Sequence, residues 1–174
     1  MALLAGSSLV ACGVAVALQL GDTPALPSSL TDSYGRVQRL EKNQYRVFFF
    51  YPAASSSGCT TQNIEYTKRY ADFLAAKTQV FGVSSDDASA QCAFIEAQKL
   101  KVPQIPDAKN ALSRIFEVGM ILRFFSRDTI VIAPDGKVVS VRRGVNPVSD
   151  ASEVLSFIKT GDCKAFSSGN GLCK

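Results

Sequence analysis

Apolar and polar positions divide the chain into short apolar runs and longer stretches in which the two kinds of residue are mixed. The runs Arg46–Tyr51 and Gln79–Ser84 are dense in β-branched and aromatic side chains, which predicts two buried strands. Thr129–Ala133 and Lys137–Arg142 predict two more strands, because Pro134-Asp135-Gly136 between them is a strong signal for a hairpin turn.

The mixed stretches predict helices that lie on a sheet. The first stretch lacks glycine and proline, and the apolar residues expected to face the sheet are Ile64, Ala71, Phe73 and Leu74. Asp86 or Asp87 is suited to cap the N-terminus of the second helix, and Gly161 is suited to end the last one. The predicted helices cover Thr60–Lys77, Asp86–Leu100, Asp107–Phe116 and Ser149–Lys159.

The order of these elements is β-α-β-α-α-β-β-α, with one hairpin late in the chain. This order predicts an α/β fold of the thioredoxin-like type, in which a mixed central sheet is covered by helices on both faces. A chain of 174 residues is long enough for one domain with a well-filled core. We place that domain at residues 21–160, between an apolar segment at 1–20 and a flexible Gly- and Ser-rich tail at 161–174 that holds two cysteines.

The N-terminal segment is almost entirely small and apolar. Leu3–Leu18 is similar to the hydrophobic part of an export signal, and Ala15-Val16-Ala17 offers a small-x-small cleavage site. We expect cleavage to leave no stable membrane span in the mature protein, and we expect a plastid location such as the thylakoid lumen, or export to a periplasm. Leu9-Val10-Ala11-Cys12 also fits a lipoprotein box, and an extension that is never cleaved is a further alternative.

Composition narrows the range of functions. The formal net charge is +4, but the Lys and Arg residues are scattered, so a nucleic-acid-binding face is not expected. The chain contains no histidine, which excludes Ser-His-Asp and Cys-His catalysis and the usual zinc sites built with imidazole. Chemistry must therefore rely on cysteine, carboxylate, arginine, lysine, tyrosine or hydroxyl groups.

The candidate reactive groups are five cysteines, at positions 12, 59, 92, 163 and 173. Their spacings do not match a structural zinc knuckle, so neither a metal nor a cofactor is expected. Cys59 follows a buried strand and a short loop, at the predicted start of a helix, where free N–H groups and the helix dipole favour a thiolate. Gln62 stands where a thioredoxin-type dithiol would have its second cysteine, which disfavours dithiol exchange.

The residues around Cys59 resemble those of the peroxiredoxins. Pro52-x3-Ser56-x2-Cys59 is similar to the active-site pattern of that family. The resemblance is to the peroxiredoxin Q (bacterioferritin comigratory protein) subfamily in particular, and it extends from about Leu20 to Ile158. The other segments that carry it are Phe49–Pro52, Gly58–Thr60, Gly82–Asp86, Arg127–Ile132 and Pro134–Gly136.

The resemblance implies catalytic roles for four residues. Cys59 would attack the terminal oxygen of a peroxide and become a sulfenic acid. Arg127 would stabilise the thiolate and the charge that develops on the leaving oxygen, with Arg123 as a weaker alternative. Ser56 would hydrogen-bond the peroxide, and Pro52 would pack over the sulfur and limit solvent.

The route by which the sulfenic acid is resolved stays open. Cys92, on the predicted second helix, is close to the position at which some members of the subfamily carry a resolving cysteine, but a small buried apolar role is an equal alternative. Cys163 and Cys173 could form a structural disulfide, or one of them could resolve Cys59. A one-cysteine mechanism with an external thiol is the remaining alternative.

We therefore predict a thiol-dependent peroxidase that reduces hydrogen peroxide and organic hydroperoxides in antioxidant defence. Thioredoxin or a similar dithiol is the expected reductant. The alternative function is a redox sensor or binding module that keeps the fold and the reactive Cys59 without turnover. The resemblance also implies a monomer, with a dimer as the alternative.

Overall fold

The computed structural model describes residues 17–166 and 170–174. Its helices are α1 (Ser57–Ala75), α2 (Ala88–Gln98), α3 (Ala111–Ile115) and α4 (Asp150–Thr160), and a 3-10 turn covers Cys163–Ala165. Its strands are β1 (Ser29–Thr31), β2 (Val37–Arg39), β3 (Tyr45–Phe50), β4 (Thr78–Ser84), β5 (Gln104–Pro106), β6 (Met120–Ile121), β7 (Phe124–Phe125), β8 (Thr129–Ile132), β9 (Val138–Arg143) and β10 (Asn170–Cys173).

The main sheet is mixed and has the strand order β10-β9-β8-β3-β4-β5. β3 and β4 are parallel, as are β4 and β5, whereas β3 is antiparallel to β8 and β8 to β9. The all-apolar run at the end of β3 is explained by this order, because β3 has a neighbour on each side and is covered on both faces. The loop that follows β3 therefore leaves from the centre of the sheet.

Alternating side chains of β3 divide the core into two layers. Val47 and Phe49 face α1 and α4, and the Phe49 ring stacks on Tyr66 of α1 with 4.0 Å between the ring centroids. Phe48 and Phe50 face the other way and pack against Phe116 directly after α3. The predicted α/β fold, a mixed central sheet with helices on both faces, is confirmed.

The local predictions are confirmed with small shifts in the element bounds. Both buried strands, the late hairpin and the four helices are present. The Asp87 side chain caps α2 by accepting a hydrogen bond from the Ala90 N–H at 2.8 Å, and Gly161 ends α4 with a positive φ of 70°. Strands of two or three residues, such as β5, were missed because so short a run carries no periodic signal.

One prediction about α1 is only partly confirmed. Of the four residues expected to face the sheet, Phe73 is buried and Ile64 is half-buried against the same core layer, whereas Ala71 is exposed and Leu74 is 53% exposed. The buried side of the helix instead carries Cys59, Gln62, Asn63 and Tyr66. Apolar periodicity placed part of the face wrongly because two of the five buried positions, Gln62 and Asn63, are polar and find hydrogen-bond partners inside the protein.

The described part of the C-terminal tail contains a strand and a disulfide. β10 pairs antiparallel with β9 at the edge of the sheet, and a disulfide joins Cys163 to Cys173. The two cysteines were candidates for such a bond in the sequence. Their disulfide joins residues 170–173 to the 3-10 turn after α4.

Most of the apolar N-terminal segment, residues 1–16, lies outside the described residues. Its last residues belong to the folded body, since the Leu18 side chain packs into the core and the Leu18 N–H donates to Glu117 at 2.8 Å. Within residues 17–166 and 170–174, the structure contains no helix that is long and apolar enough to cross a membrane.

Candidate active site

Cys59 lies in the first turn of α1, and its side chain is fully buried. The first backbone N–H bonded within this helix is that of Thr60, which donates to the Ser56 carbonyl at 2.8 Å. The N–H groups of Ser57, Gly58 and Cys59 therefore belong to the end of the helix whose donors have no intrahelical acceptor. The predicted position of Cys59, on a helix start directly after a central strand, matches this geometry.

Arg127 brings a guanidinium group to the sulfur of Cys59. Its Nη2 donates to Cys59 Sγ at 3.4 Å, and its side chain is half-buried. Gly58 allows this approach, because a Cβ at that position would lie 3.0 Å from Arg127 Nη2. Arg123, the weaker alternative, places its guanidinium over the Phe124 ring at 5.2 Å from the centroid.

The backbone around Arg127 is anchored to the main sheet. The Arg127 carbonyl accepts a hydrogen bond from the Val145 N–H at 2.9 Å, and the carbonyl of the next residue, Asp128, accepts from the Phe50 N–H at 2.7 Å. The Asp128 carboxylate also pairs with Arg143 at 2.8 Å. The cation is thus carried on a rigid segment at the start of β8 rather than on a free loop.

The loop that carries Pro52 and Ser56 is held by a residue that sequence reasoning had assigned to a different role. Asp86 was one of two candidates to cap α2, but its Oδ2 accepts from the Ala54 N–H at 2.7 Å and from the Ser84 hydroxyl at 2.8 Å. Asp86 lies two residues after the end of β4, the strand that pairs with β3. Its two hydrogen bonds therefore hold the loop that precedes Cys59 against the end of β4.

Ser56 and Pro52 stand in this loop on the approach to Cys59. Ser56 is the N-cap residue of α1, but its exposed hydroxyl donates to the Ala53 carbonyl at 3.3 Å and makes no capping bond. Pro52 lies two residues after the central strand and is half-buried. The Ser56 hydroxyl acts only as a donor in this contact, so its oxygen can still accept a hydrogen bond.

A buried polar network continues from Arg127 into the core. Arg127 Nη1 donates to Gln62 Oε1 at 2.7 Å, and Gln62 Nε2 donates to Asp150 Oδ2 at 2.9 Å. Asp150 Oδ2 also accepts from the hydroxyls of Tyr66 at 2.9 Å and Thr129 at 2.8 Å. Burial raises the pKa of Asp150, against the opposing effect of the Arg142 guanidinium 2.6 Å from its Oδ1 and of these hydrogen bonds.

Cys92 lies on α2 and has a free, half-buried thiol whose Sγ donates to the Ser33 carbonyl at 3.1 Å. Cys59 is likewise free, so the two candidate redox cysteines are not bonded to each other in this structure. Cys163 and Cys173 form a disulfide with 5.8 Å between their Cα atoms. This bond corresponds to the structural disulfide, one of the two alternatives considered for these cysteines from the sequence.

Sequence reasoning placed Cys59 and Arg127 together but missed the groups that hold them. Gln62 was considered only as the absence of a second cysteine, although its spacing of one turn from Cys59 puts it on the same helix face. Asp150 and Thr129 carry no local signal, because only the packing of α4 and β8 against α1 brings them to Gln62.

The arrangement suits nucleophilic chemistry at sulfur. The buried sulfur lies at a helix start, where backbone N–H groups stabilise negative charge. The adjacent guanidinium supplies a fixed cation with further N–H groups. Such groups are suited to stabilise an attacking thiolate and an oxygen anion that leaves beside it.

Comparison with known proteins gives the site a context. A model of the AhpC/TSA family matches residues 24–141. The chain is similar to peroxiredoxin Bcp of Xanthomonas campestris pv. campestris, with 30% identity over 141 residues that cover 77% of this chain and 88% of that protein. It is also similar to the chloroplastic peroxiredoxin Q of Sedum lineare, with 30% identity over 147 residues that cover 80% of this chain and 77% of that protein.

The fold is similar to that of solved structures as well. One is the bacterioferritin comigratory protein of Xanthomonas campestris, in a study of its alkyl peroxide reduction activity. Its TM-score is 0.72 and its identity 28%, with coverage of 83% of this chain and 97% of that chain.

Proposed function

The chain belongs to the AhpC/TSA family, and from that premise we propose that Cys59 is the nucleophile with which it reduces peroxides. Its relatives are peroxiredoxins, which are thiol peroxidases, so the chain is an enzyme that reduces peroxides at the expense of a thiol reductant. The alternative of a sensor or binding module without turnover is not favoured.

The observation that carries the assignment is the 3.4 Å contact between Arg127 Nη2 and Cys59 Sγ. The Cys59 thiolate attacks the terminal oxygen of the peroxide, an S–O bond forms and the O–O bond breaks. The sulfur is oxidised to a sulfenic acid, and the leaving oxygen departs as hydroxide or alkoxide and takes a proton from solvent. Arg127 stabilises the anion on sulfur before the step and the anion on oxygen during it.

Ser56 and Pro52 complete the proposed site. The exposed Ser56 hydroxyl, three residues before Cys59, is within the loop that a peroxide must pass, and it is suited to hold the peroxide in line with the sulfur. Pro52 covers the same approach from the end of β3 and limits the access of water. The relative studied for its alkyl peroxide reduction supports organic hydroperoxides, beside hydrogen peroxide, as substrates.

We propose Cys92 as the resolving residue. Its thiol attacks the sulfenic acid of Cys59, a disulfide forms and water leaves, and a dithiol such as thioredoxin then reduces the disulfide. The free and half-buried state of Cys92 supports this choice, and the pairing of Cys163 with Cys173 leaves neither of them free for it. Because both residues lie on helices, their Cα atoms must approach to within about 7 Å by local unwinding.

Location and assembly remain proposals of the same kind. Chloroplastic relatives and the apolar N-terminal segment support a plastid location, and the same apolar segment supports export as the alternative. We propose a working monomer, since the Arg127 guanidinium reaches the Cys59 sulfur within one chain.

Steady-state peroxide consumption with a thioredoxin system tests the proposal. Cys59→Ser is expected to abolish turnover, because serine does not ionise to a comparable nucleophile. Arg127→Lys is expected to lower kcat/KM by about 100- to 1,000-fold, because a lysine replaces the planar fork with a point charge. Full activity of Cys59→Ser would remove the assignment.

The resolving role is tested separately by mapping thiols after one equivalent of peroxide. A Cys59–Cys92 disulfide is expected in the wild type, and Cys92→Ser is expected to accumulate the Cys59 sulfenic acid or its overoxidised forms. An intact Cys92 thiol beside an oxidised Cys59 in the wild type would exclude Cys92 and leave the one-cysteine mechanism.

A further inference from the structure

The fully buried side chain of Gln62 lies between Arg127 and Asp150. Its Oε1 accepts from Arg127 Nη1 at 2.7 Å, while the other terminal nitrogen of Arg127 donates to Cys59 Sγ at 3.4 Å. Both ends of the guanidinium fork are therefore engaged, one by the sulfur and one by the amide. The orientation of the fork depends on both contacts.

The direction in which the Gln62 amide points is set by Asp150. The carboxylate can only accept hydrogen bonds, so it requires the NH2 group of Gln62, and Nε2 donates to Asp150 Oδ2 at 2.9 Å. The carbonyl oxygen is then left to face Arg127, which can only donate. If the amide were flipped, its oxygen would face the Asp150 carboxylate, which is also an acceptor, and its NH2 group would face the Arg127 guanidinium, which is also a donor. The surroundings therefore allow only one orientation of the amide.

Asp150 is itself held from several elements. The hydroxyls of Tyr66 on α1 and Thr129 on β8 donate to its Oδ2, and Arg142 on β9 pairs with its Oδ1 at 2.6 Å. The carboxylate stands at the first residue of α4 and is fully buried. Such a carboxylate is a fixed reference point for the amide, because moving it would break contacts to three other elements, α1, β8 and β9, at once.

The amide also keeps negative charge away from Arg127. Within residues 17–166 and 170–174, Arg127 forms no ion pair, and its acceptors are the neutral Gln62 oxygen and the Cys59 sulfur. The charge of Asp150 is instead opposed by Arg142. Through Gln62, the position of the Asp150 carboxylate therefore determines the orientation of the Arg127 side chain, although the carboxylate does not itself bond to Arg127.

From these contacts we propose that Gln62, oriented by Asp150, is a positioning residue that aims the Arg127 guanidinium at Cys59. This inference rests on the proposed roles of Cys59 and Arg127. Gln62 does not contact the sulfur in the reaction and acts only through the cation. Its loss leaves Nη1 of Arg127 without its acceptor, and the fork can rotate away from the sulfur.

The test compares Gln62→Met, which has a similar length but no acceptor, with Gln62→Glu, which keeps an oxygen for Arg127. In Gln62→Glu the new carboxyl faces Asp150, and one proton shared between them replaces the lost amide donor. We expect Gln62→Met to lower kcat/KM for peroxide by about 10- to 100-fold and Gln62→Glu to stay within about threefold of the wild type.

A second readout separates positioning from a merely structural role. Iodoacetamide alkylation of Cys59 is followed on the Cys59 peptide in a Cys92→Ser background, and its rate is measured as a function of pH. We expect the rate to rise at a higher pH in Gln62→Met than in the protein that keeps Gln62. The matched control is Gln104→Met, since Gln104 is an equally buried glutamine on β5 that bonds to Tyr51 and Val102. It should lose stability without moving the pH profile.

An unchanged kcat/KM and pH profile in Gln62→Met would overturn the inference, as would equal losses in both Gln62 variants. If Gln62→Met does not fold, Gln62→Asn takes its place, because it keeps a polar amide but is one methylene too short to bond both Arg127 and Asp150. A loss of about tenfold or more with the profile moved to higher pH then supports positioning, and an unchanged kcat/KM and profile overturns it. Failure of the proposed function is recognised independently, because it would appear as retained turnover in Cys59→Ser.

Discussion

Single side chains at the centre of the sheet show how closely this core is packed. Gly82 of β4 is the clearest case, because three heavy atoms occupy the space where a side chain would begin. A Cβ there would lie 2.4 Å from Gln104 Oε1, 2.8 Å from Gln104 Nε2 and 2.8 Å from the outermost ring carbon of Phe49. The strand therefore needs glycine for a close approach and not for an unusual backbone angle.

We predict that Gly82→Ala destabilises the protein by about 1–3 kcal/mol, because the added methyl must displace the buried Gln104 amide or the Phe49 ring. Urea unfolding followed by circular dichroism measures the change. A midpoint equal to that of the wild type would show that the neighbours give way freely and would contradict the prediction.

Among the elements, the β1–β2 hairpin is organised by one carboxylate. Asp32 follows β1, and its Oδ1 accepts from the backbone N–H groups of Tyr34 and Arg36, while its Oδ2 accepts from the side chains of Arg36 and Gln38. Burial acts to raise the pKa of Asp32, but the hydrogen bonds from Arg36 and Gln38 outweigh it and hold the pKa below its usual value. The ionised carboxylate therefore stabilises the folded state.

This direction fixes the pH dependence. A carboxyl whose pKa is lower in the folded than in the unfolded state contributes stability that is complete above its unfolded pKa of about 3.9, and that is lost as the pH falls through the folded pKa. We predict that Asp32→Asn costs about 1–3 kcal/mol at pH 7 and progressively less below about pH 4. Urea unfolding of both proteins between pH 3 and pH 7 measures the difference, and a difference independent of pH would contradict the prediction.

At the scale of the whole molecule, the C-terminal segment joins the last helix to the edge of the sheet. Cys163 follows α4 and Cys173 lies on β10, so their disulfide holds the edge strand against β9. Phe166, inside the closed loop, lies under the Arg142 guanidinium at 4.3 Å from the ring centroid. The segment thus covers the far end of the buried network that begins at Cys59.

We predict that the double variant Cys163→Ser/Cys173→Ser loses up to about 3 kcal/mol of stability, because the bond closes a loop with a sequence separation of 10 residues. Urea unfolding with and without dithiothreitol measures it. The reductant should lower the wild-type midpoint to that of the variant and leave the variant unchanged. A variant as stable as the oxidised wild type would show that the other contacts of β10 are sufficient.

The sequence by itself determined the order of the main elements and the two principal groups of the candidate site. The runs Val47–Tyr51 and Val80–Val83 contain no charged side chain, and a strand that is covered on both faces tolerates such a run in water. The Pro52 to Cys59 spacing and Arg127 lie in short local segments, so their resemblance to a known family pattern was visible in the sequence and implied their chemistry. These features share one property, which is that each is encoded within a few adjacent residues.

Only the tertiary structure decided what surrounds them. The buried face of α1, the support of the active-site loop by Asp86 and the alignment of Gln62 with Asp150 all join residues that are distant in the chain. A buried polar side chain looks like a surface residue in the sequence, because its identity as core depends on whether a partner reaches it. Asp150 is such a partner for Gln62, and it reaches Gln62 only because separate elements pack together. No local pattern along the chain predicts this contact.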